Sequence, residues 1–255
     1  MITIREYVRP ASLEEAWMLN QKRTSRVIGG MLWLKMQNTA VGTAIDLSGL
    51  GLDKIEETPE GFTVGAMVSL RALETNAELN RYTGGAMREA LRHIVGVQFR
   101  ATATLGGSVY GRFGFSDVLT VLLALNASVE LYKGGIVPLA QFAGMPFDRD
   151  ILVRVHIPKE SAAFFYQSVR PTKTDFPSLT CAAARLADGT YRFVVGARPG
   201  KAVVLTMPGE QDDLPETVSA QIETGSNLRG SAAYRKHLVR VLVRRAVDTL
   251  EGGAK

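Results

Sequence analysis

Residues 104–108 read Thr-Leu-Gly-Gly-Ser, and residues 28–34 read Ile-Gly-Gly-Met-Leu-Trp-Leu. In each, two adjacent glycines follow a short apolar stretch, the pattern of a strand running into a turn. Glycine carries no Cβ and adopts positive φ freely, so the backbone can bend there and approach a neighbour or ligand closely. Successive N–H groups in such a bend converge into a concavity suited to an anion. A single pair is ordinarily just a tight turn. Two converging pairs would suit a pyrophosphate.

The flanking patterns predict an α+β chain. Residues 2–7 alternate as a short strand, Pro10 breaks it, and Ser12 with Glu15 forms a capping box ahead of Ala16, Trp17 and Leu19. A strand over 26–28 enters the first glycine pair, helix formers occupy 31–36, and another strand covers 43–47, a βαβαβ-like opening. Phe62, Val64 and Ala66 mark a half-buried strand. Ser69 caps a helix expected over 70–79, and further helices are expected over 85–94 and, behind Ser116, 118–125. A hairpin follows over 128–137 with Gly134-Gly135 at its turn. From Ile151 the pattern changes to antiparallel β structure. The run 151–158 alternates, and 179–186, the Asp188-Gly189 turn and 191–195 form a hairpin. An amphipathic helix over 232–250, with Tyr234, Leu238, Val241 and Leu242 on its stripe, closes the pattern. The domain boundary falls near residue 158.

Composition narrows the function. The 255 residues allow two domains, and 46% apolar with 22% charged residues is the balance of a soluble globular protein. No run approaches the roughly 18 apolar residues that cross a bilayer. The first ten residues carry charges where a signal peptide needs an apolar stretch, so a cytoplasmic protein without membrane insertion is expected. The lone Cys181 cannot build a disulfide framework, an iron–sulfur cluster or a structural zinc site. Its apolar neighbours point to an inert thiol in a buried strand. The net charge of +5 owes much to Arg229, Arg235, Lys236, Arg240, Arg244 and Arg245. Without zinc-finger spacing or interleaved aromatics, this basic excess indicates a solvated helix face or a partner-docking surface, and nucleic acid is not expected. There is no phosphate loop, G-x-G-x-x-G fingerprint, H-E-x-x-H motif or nucleophile elbow, and His93, His156 and His237 are far apart in the chain. No catalytic side chain and no metal site are predicted.

Taken in order, these pieces resemble the FAD-binding flavoprotein (medium) subunits of molybdenum hydroxylases, the xanthine dehydrogenase and carbon monoxide dehydrogenase type, along essentially the whole chain. The likeness comprises Tyr7, Pro10, Ser12, Glu15 and Ala16, the first loop at 28–34, the strand 44–47 and the Val-Gly-Ala at 64–66. Its most specific part is Thr-Leu-Gly-Gly-Ser at 104–108, with Asp117 nine residues beyond Ser108 and an apolar run over 119–125. Tyr234-Arg235 and the basic helix after them match the family's C-terminal domain.

The resemblance implies a two-part PCMH/vanillyl-alcohol-oxidase-like FAD-binding domain, residues 1–57 and 58–158, followed by a small antiparallel-sheet-plus-helix C-terminal domain, 159–255. It implies that Ile28, Gly29, Gly30, Met31, Leu32, Trp33 and Leu34 contact the FAD diphosphate and ribityl chain. Thr104, Gly106, Gly107 and Ser108 would close on the cofactor, Asp117 would hydrogen-bond toward its adenosine side, and Leu152 would pack near the flavin ring. For Asp117 the alternative is a second helix cap, and for Leu152 ordinary core. The family's first loop is commonly A-G-G-T-D-L, so Met31 and Leu32 replace side chains that could hydrogen-bond and leave backbone N–H groups to bind. Ser108 stands where Asn is usual, Ala101 replaces the Asn of the family's I-R-N, and Gln167 falls where a Lys is often found, with Arg170 downstream.

In such complexes electrons pass from a large molybdopterin subunit, through a small [2Fe–2S] subunit, to FAD and an external acceptor such as NAD. Two other readings fit the residues. One is a free-standing flavin oxidoreductase, which would ordinarily carry a larger substrate domain. The other is a scaffold subunit that has lost FAD, motivated by Met31 and Leu32.

Overall fold

The computed structural model describes residues 1–252. The chain opens with β1 (Thr3–Val8), α1 (Leu13–Asn20), β2 (Arg26–Ile28) and β3 (Ala40–Asp46). Next come β4 (Ile55–Glu57), β5 (Gly61–Gly65), α2 (Leu70–Thr75), α3 (Ala77–Tyr82) and α4 (Ala86–Leu91). They are followed by α5 (Val97–Thr102), α6 (Leu105–Tyr110), α7 (Asp117–Ala124), β6 (Ser128–Leu131), β7 (Gly135–Pro138) and α8 (Leu139–Gly144). The last elements are β8 (Leu152–Pro158), β9 (Ala162–Val169), β10 (Leu179–Leu186), β11 (Tyr191–Gly196), β12 (Val203–Met207), α9 (Leu214–Gln221) and α10 (Ala232–Gly252). They form two compact units, each assembled from separated stretches. Met1–Ala72, Val97–Gly111 and Ala127–Ile157 make the first, and Leu73–Gly96, Arg112–Asn126 and the chain from Pro158 onward make the second.

The first unit holds two sheets. Three parallel strands run in the order β1-β3-β2, with Tyr7 opposite Ala44 and Ile28 opposite Asp46. The crossover helix α1 starts where Ser12 Oγ accepts the Glu15 N–H at 3.1 Å, while the Glu15 carboxylate accepts the Ala11 N–H at 2.7 Å. The reciprocal bond thus reaches one residue further back than a standard capping box. The helix expected over 31–36 is only a 3₁₀ turn, Leu34–Met36. Met31 sits in the left-handed region (φ 57°), which stops a right-handed helix from starting at the glycines.

The second sheet has the order β4-β5-β8-β6-β7. Its β8 is the alternating run from Ile151, and it pairs antiparallel with β6. Alternation shows that one face of a strand is buried but does not say against what. Ile151 and Val153 pack with Ala16, Ile45, Leu47 and Leu52 of the N-terminal segment. The single helix expected over 70–79 is also two, because the Asn76 side chain accepts the Leu79 N–H at 2.8 Å and caps α3.

The second unit is built on the antiparallel sheet β12-β11-β10-β9, whose central hairpin turns at Asp188-Gly189. One face carries the closing helices: Cys181, Ala183, Tyr191, Phe193 and Val195 pack with Leu238, Val239, Leu242, Val243 and Ala246 of α10. The other face receives α7, which contacts β10, β11 and α4. All eight residues of α7 are buried, which explains why it is apolar all round. Burial also pushes the Cys181 thiol up to about 12, so the thiolate is not accessible near neutrality.

The basic residues of α10 are largely engaged within this unit. Arg235 is fully buried and donates to the carbonyls of Ser178, Gly225 and Gly230 and to Asn227 Oδ1. Lys236 Nζ donates to the carbonyls of Ser219, Ala220 and Ile222 at the C-terminal end of α9, where a cation also suits the helix dipole. Arg240 pairs with Glu216 at the other end of α9, and Arg244 lies 3.9 Å from Asp213. Among the described residues no helix is long and apolar enough to cross a membrane, and no acidic, His or Cys group could hold a metal.

Two measurements check this unit. Arg235→Leu leaves several buried carbonyls without a donor and should lower unfolding stability by about 3 kcal/mol, read from urea denaturation; an unchanged midpoint would refute the buried clamp. Cys181 should resist a thiol-specific reagent at pH 8 until denaturant is added, and prompt labelling of the folded chain would contradict its burial.

Candidate cofactor site

The first glycine pair leaves β2 and lies directly against the turn that leads into α6. A Cβ built on Gly29 would stand 2.3 Å from Thr104 Oγ1, and one on Gly30 would stand 2.0 Å from the Thr102 carbonyl oxygen. Both are impossible contacts, so only glycine lets the two segments touch. Beyond the pair, Met31 and Leu34 pack on the small core of Ile28, Val41 and Ala44, which anchors the loop through side chains. Trp33 is exposed. The N–H groups of Gly30, Met31 and Leu32 donate to nothing among the described residues, and these residues are half-buried. Half-sheltered N–H donors in succession, with one residue at positive φ, form the kind of concavity that accepts an anion.

The second pair differs from its sequence reading. Thr104-Leu105 does not form a strand that turns at the glycines. Thr104 is the N-cap of α6, joined to Ser69 by one antiparallel bridge, and Gly106-Gly107 lie in the first helical turn. The donors of that turn are already engaged: Leu105 N–H with the Val68 carbonyl at 2.8 Å, Gly106 N–H with the Ala66 carbonyl at 2.8 Å, and Gly107 N–H with Thr104 Oγ1 at 3.2 Å. This pair therefore makes no anion nest. Gly106 is needed because a Cβ there would come within 2.8 Å of Ala66. The Ser108 hydroxyl donates to the Thr104 carbonyl at 2.9 Å, which leaves its oxygen able to accept.

Leu152 is buried on β8 beside an irregularity in the β6 pairing. Its neighbours Ile151 and Val153 fill the core, so Leu152 points from the opposite face of the strand. The first unit thus places Gly29 against Thr104 and Gly30 against the Thr102 carbonyl, and it carries residues 28–34, Gly106, Gly107, Ser108 and Leu152.

Asp117 belongs to the second unit. Ser116 is the helix cap, accepting the Leu119 N–H at 3.1 Å, and Asp117 follows as the first helical residue. Its side chain is almost entirely buried, and Oδ1 accepts both the Tyr166 hydroxyl and an Arg170 N–H. Burial pulls the carboxyl upward from its ordinary value, opposed by the Arg170 charge and the two hydrogen bonds. With a cation and a hydroxyl on the same oxygen, the carboxylate is the form this geometry holds. Burial and the Asp117 carboxylate hold the Tyr166 hydroxyl well above its usual range, so it remains a proton donor. Gln167, where the resemblance places a family Lys, has the parity of Phe165, which packs on the α10 face of the sheet. The side chain that reaches Asp117 from β9 is Tyr166, and the sequence reading missed it. Its signal was the strand period: residues 164, 166 and 168 share a face.

Residues 3–160 match the family described as the FAD binding domain in molybdopterin dehydrogenase, a span that includes both glycine pairs, Asp117 and Leu152. The nicotine 6-hydroxylase medium subunit of Paenarthrobacter nicotinovorans is 29% identical, the match covering 98% of this chain and 97% of that protein. The glyceraldehyde dehydrogenase medium chain of Sulfolobus acidocaldarius is 26% identical, covering 94% of this chain and 96% of that one. The fold matches a chain in the crystal structure of quinoline 2-oxidoreductase from Pseudomonas putida 86 with a TM-score of 0.86 at 21% identity, over 98% of this chain and 97% of the other. With the family match covering well over half its residues, the chain belongs to the FAD-binding family of the molybdopterin dehydrogenases and is an FAD-binding medium subunit of the molybdenum hydroxylase type.

Proposed function

We propose that the FAD diphosphate is held by the backbone N–H groups of Gly30, Met31 and Leu32, and that this chain relays electrons from a cluster-bearing partner to an external acceptor. The observation that carries the reading is the row of three N–H donors, unengaged among the described residues, on a loop whose glycines press against Thr104 and the Thr102 carbonyl. Bound FAD supplies the exchange of one and two electrons. The chain's own work is to bind and orient. Gly29 and Gly30 give the loop its close approach, Met31 and Leu34 anchor it from below, and Ile28 ends the strand that aims it. Thr104 seats the loop, Ser108 offers an acceptor oxygen, and Gly106 and Gly107 bring α6 near enough for both. Leu152 supplies an apolar contact for the flavin ring. Asp117 keeps its buried carboxylate engaged by Tyr166 and Arg170 within the second unit. No side-chain acid or base is needed in this role.

The electrons would come from a small subunit with [2Fe–2S] clusters, supplied in turn by a large molybdopterin subunit, and would leave to NAD or another soluble carrier in the cytoplasm. The requirement for a cluster-bearing partner rests on Cys181, the chain's single cysteine, which is buried.

The purified chain should show flavin absorption in the visible region, and the chemically reduced cluster subunit should bleach it. A colourless chain that takes up no added FAD would support the scaffold reading instead. Gly30→Ala should lower FAD affinity at least about tenfold, because the new methyl meets a backbone carbonyl that cannot swing aside. Met31→Gly should keep FAD, because the N–H donor stays, and should bring no gain in stability, because relief of the left-handed strain is offset by loss of the side chain that packs on Ile28, Val41 and Ala44. Equal FAD content in wild type and Gly30→Ala would remove the first loop from the site.

A further inference from the structure

Residues 225–230 of the second unit form a turn held from several directions. Asn227 and Gly230 exchange backbone hydrogen bonds, each at 3.1 Å, and the Arg229 N–H donates to Asn227 Oδ1 at 2.9 Å. The buried Arg235 ties down the Gly225 and Gly230 carbonyls and the Asn227 side chain. Ser178 Oγ donates to the Arg229 carbonyl at 2.8 Å. At the tip of this fastened backbone stands Leu228, 103% exposed. A leucine in full contact with water on a rigid turn does nothing for the fold of the chain that carries it.

Its surroundings continue the surface. Arg229 pairs with Asp175 at 2.9 Å and lies 5.0 Å over the Phe176 ring. Phe176 meets Phe115 edge-on at 4.6 Å, and Phe115 stacks on Phe113 at 5.1 Å, with Phe113 and Phe176 both exposed. The segments are stitched together by backbone: Gly225 N–H donates to the Arg198 carbonyl at 3.0 Å and Ala197 N–H to the Gly114 carbonyl at 2.8 Å. Aromatic residues, arginine and a preorganised apolar knob are the composition of a protein-binding hot spot. The charged residues that hydrogen bonds and ion pairs tie to it are Arg198, Lys201 and Arg229 against Asp175 and Glu223, an excess of positive charge.

We propose that Leu228, with the Phe113–Phe115–Phe176 platform, is the surface on which this chain docks to another subunit of its complex, one presenting an apolar pocket rimmed by carboxylates. The basic rim selects the partner. An isologous contact with a second copy would set the same positive residues against one another, whereas an acidic rim gains from them. The inference rests on the medium-subunit reading.

The test is the native complex, purified through a tag on this chain, as wild type, Leu228→Glu and Leu228→Lys. Leu228→Glu should leave the melting temperature of the isolated chain unchanged and weaken retention of the partner subunits on the order of tenfold or more. Leu228→Lys, which matches an acidic rim, should lose less, and wild-type assembly should weaken with salt. Full partner retention by Leu228→Glu would overturn the proposal. So would a wild-type homodimer, or bound nucleic acid, that Leu228→Glu abolishes. If the wild-type chain purifies without any partner, the medium-subunit reading falls and the docking surface with it; if wild type and Leu228→Glu both bring partners, only the docking surface falls.

Discussion

The first unit depends on one steric condition: the loop after β2 and the turn before α6 must touch where no Cβ fits. Gly29 meets Thr104 and Gly30 meets the Thr102 carbonyl, and each would clash by more than an ångström if it bore a methyl group. From that contact follow the placement of the free N–H groups and the position of α6. Thr104 is the hinge of the arrangement: it caps α6 through Gly107, bridges to Ser69 and faces Gly29. The two glycine pairs look alike in sequence but do opposite jobs. One keeps its donors open, and the other turns its donors inward to seat a helix on the Ala66 and Val68 carbonyls.

Much of this was legible from residues alone. The Ser12, Ser116 and Asp188-Gly189 signals depend on local chemistry, and each lies where its residue types require. The order and spacing of the pieces were enough to indicate the family. What was hidden depends on contacts distant in sequence. Strand β8 looks like any half-buried strand until its partners are known, and β9 mixes small and aromatic residues that blur its alternation. The engagement of the Leu105 and Gly106 N–H groups could not be read, because their acceptors, Val68 and Ala66, lie some 40 residues earlier in the chain. Likewise the basic residues near the C-terminus look free in sequence, yet Lys236 and Arg240 fasten α9, whose presence was not expected.

The second unit handles buried charge in two ways. Arg170 meets a carboxylate at Asp117, where the guanidinium's charge is matched. Arg235 meets carbonyls and an amide, so its charge is solvated by dipoles alone, and its rigid fork of donors can hold a turn that a lysine could not. The first arrangement orients a polar atom; the second shapes a backbone.

The interleaving of the two units has a consequence for how the molecule is made. The chain passes between them after Ala72, Gly96, Gly111, Asn126 and Ile157. Three residues of unfavourable positive φ, Val95, Arg112 and Asn126, lie at or next to these passages. During synthesis the first unit cannot close until β8 has left the ribosome, and α7 has no sheet to cover until β10 and β11 follow. For most of translation the nascent chain therefore exposes apolar helices and unpaired strand edges, the condition in which long-range topology slows folding and invites aggregation.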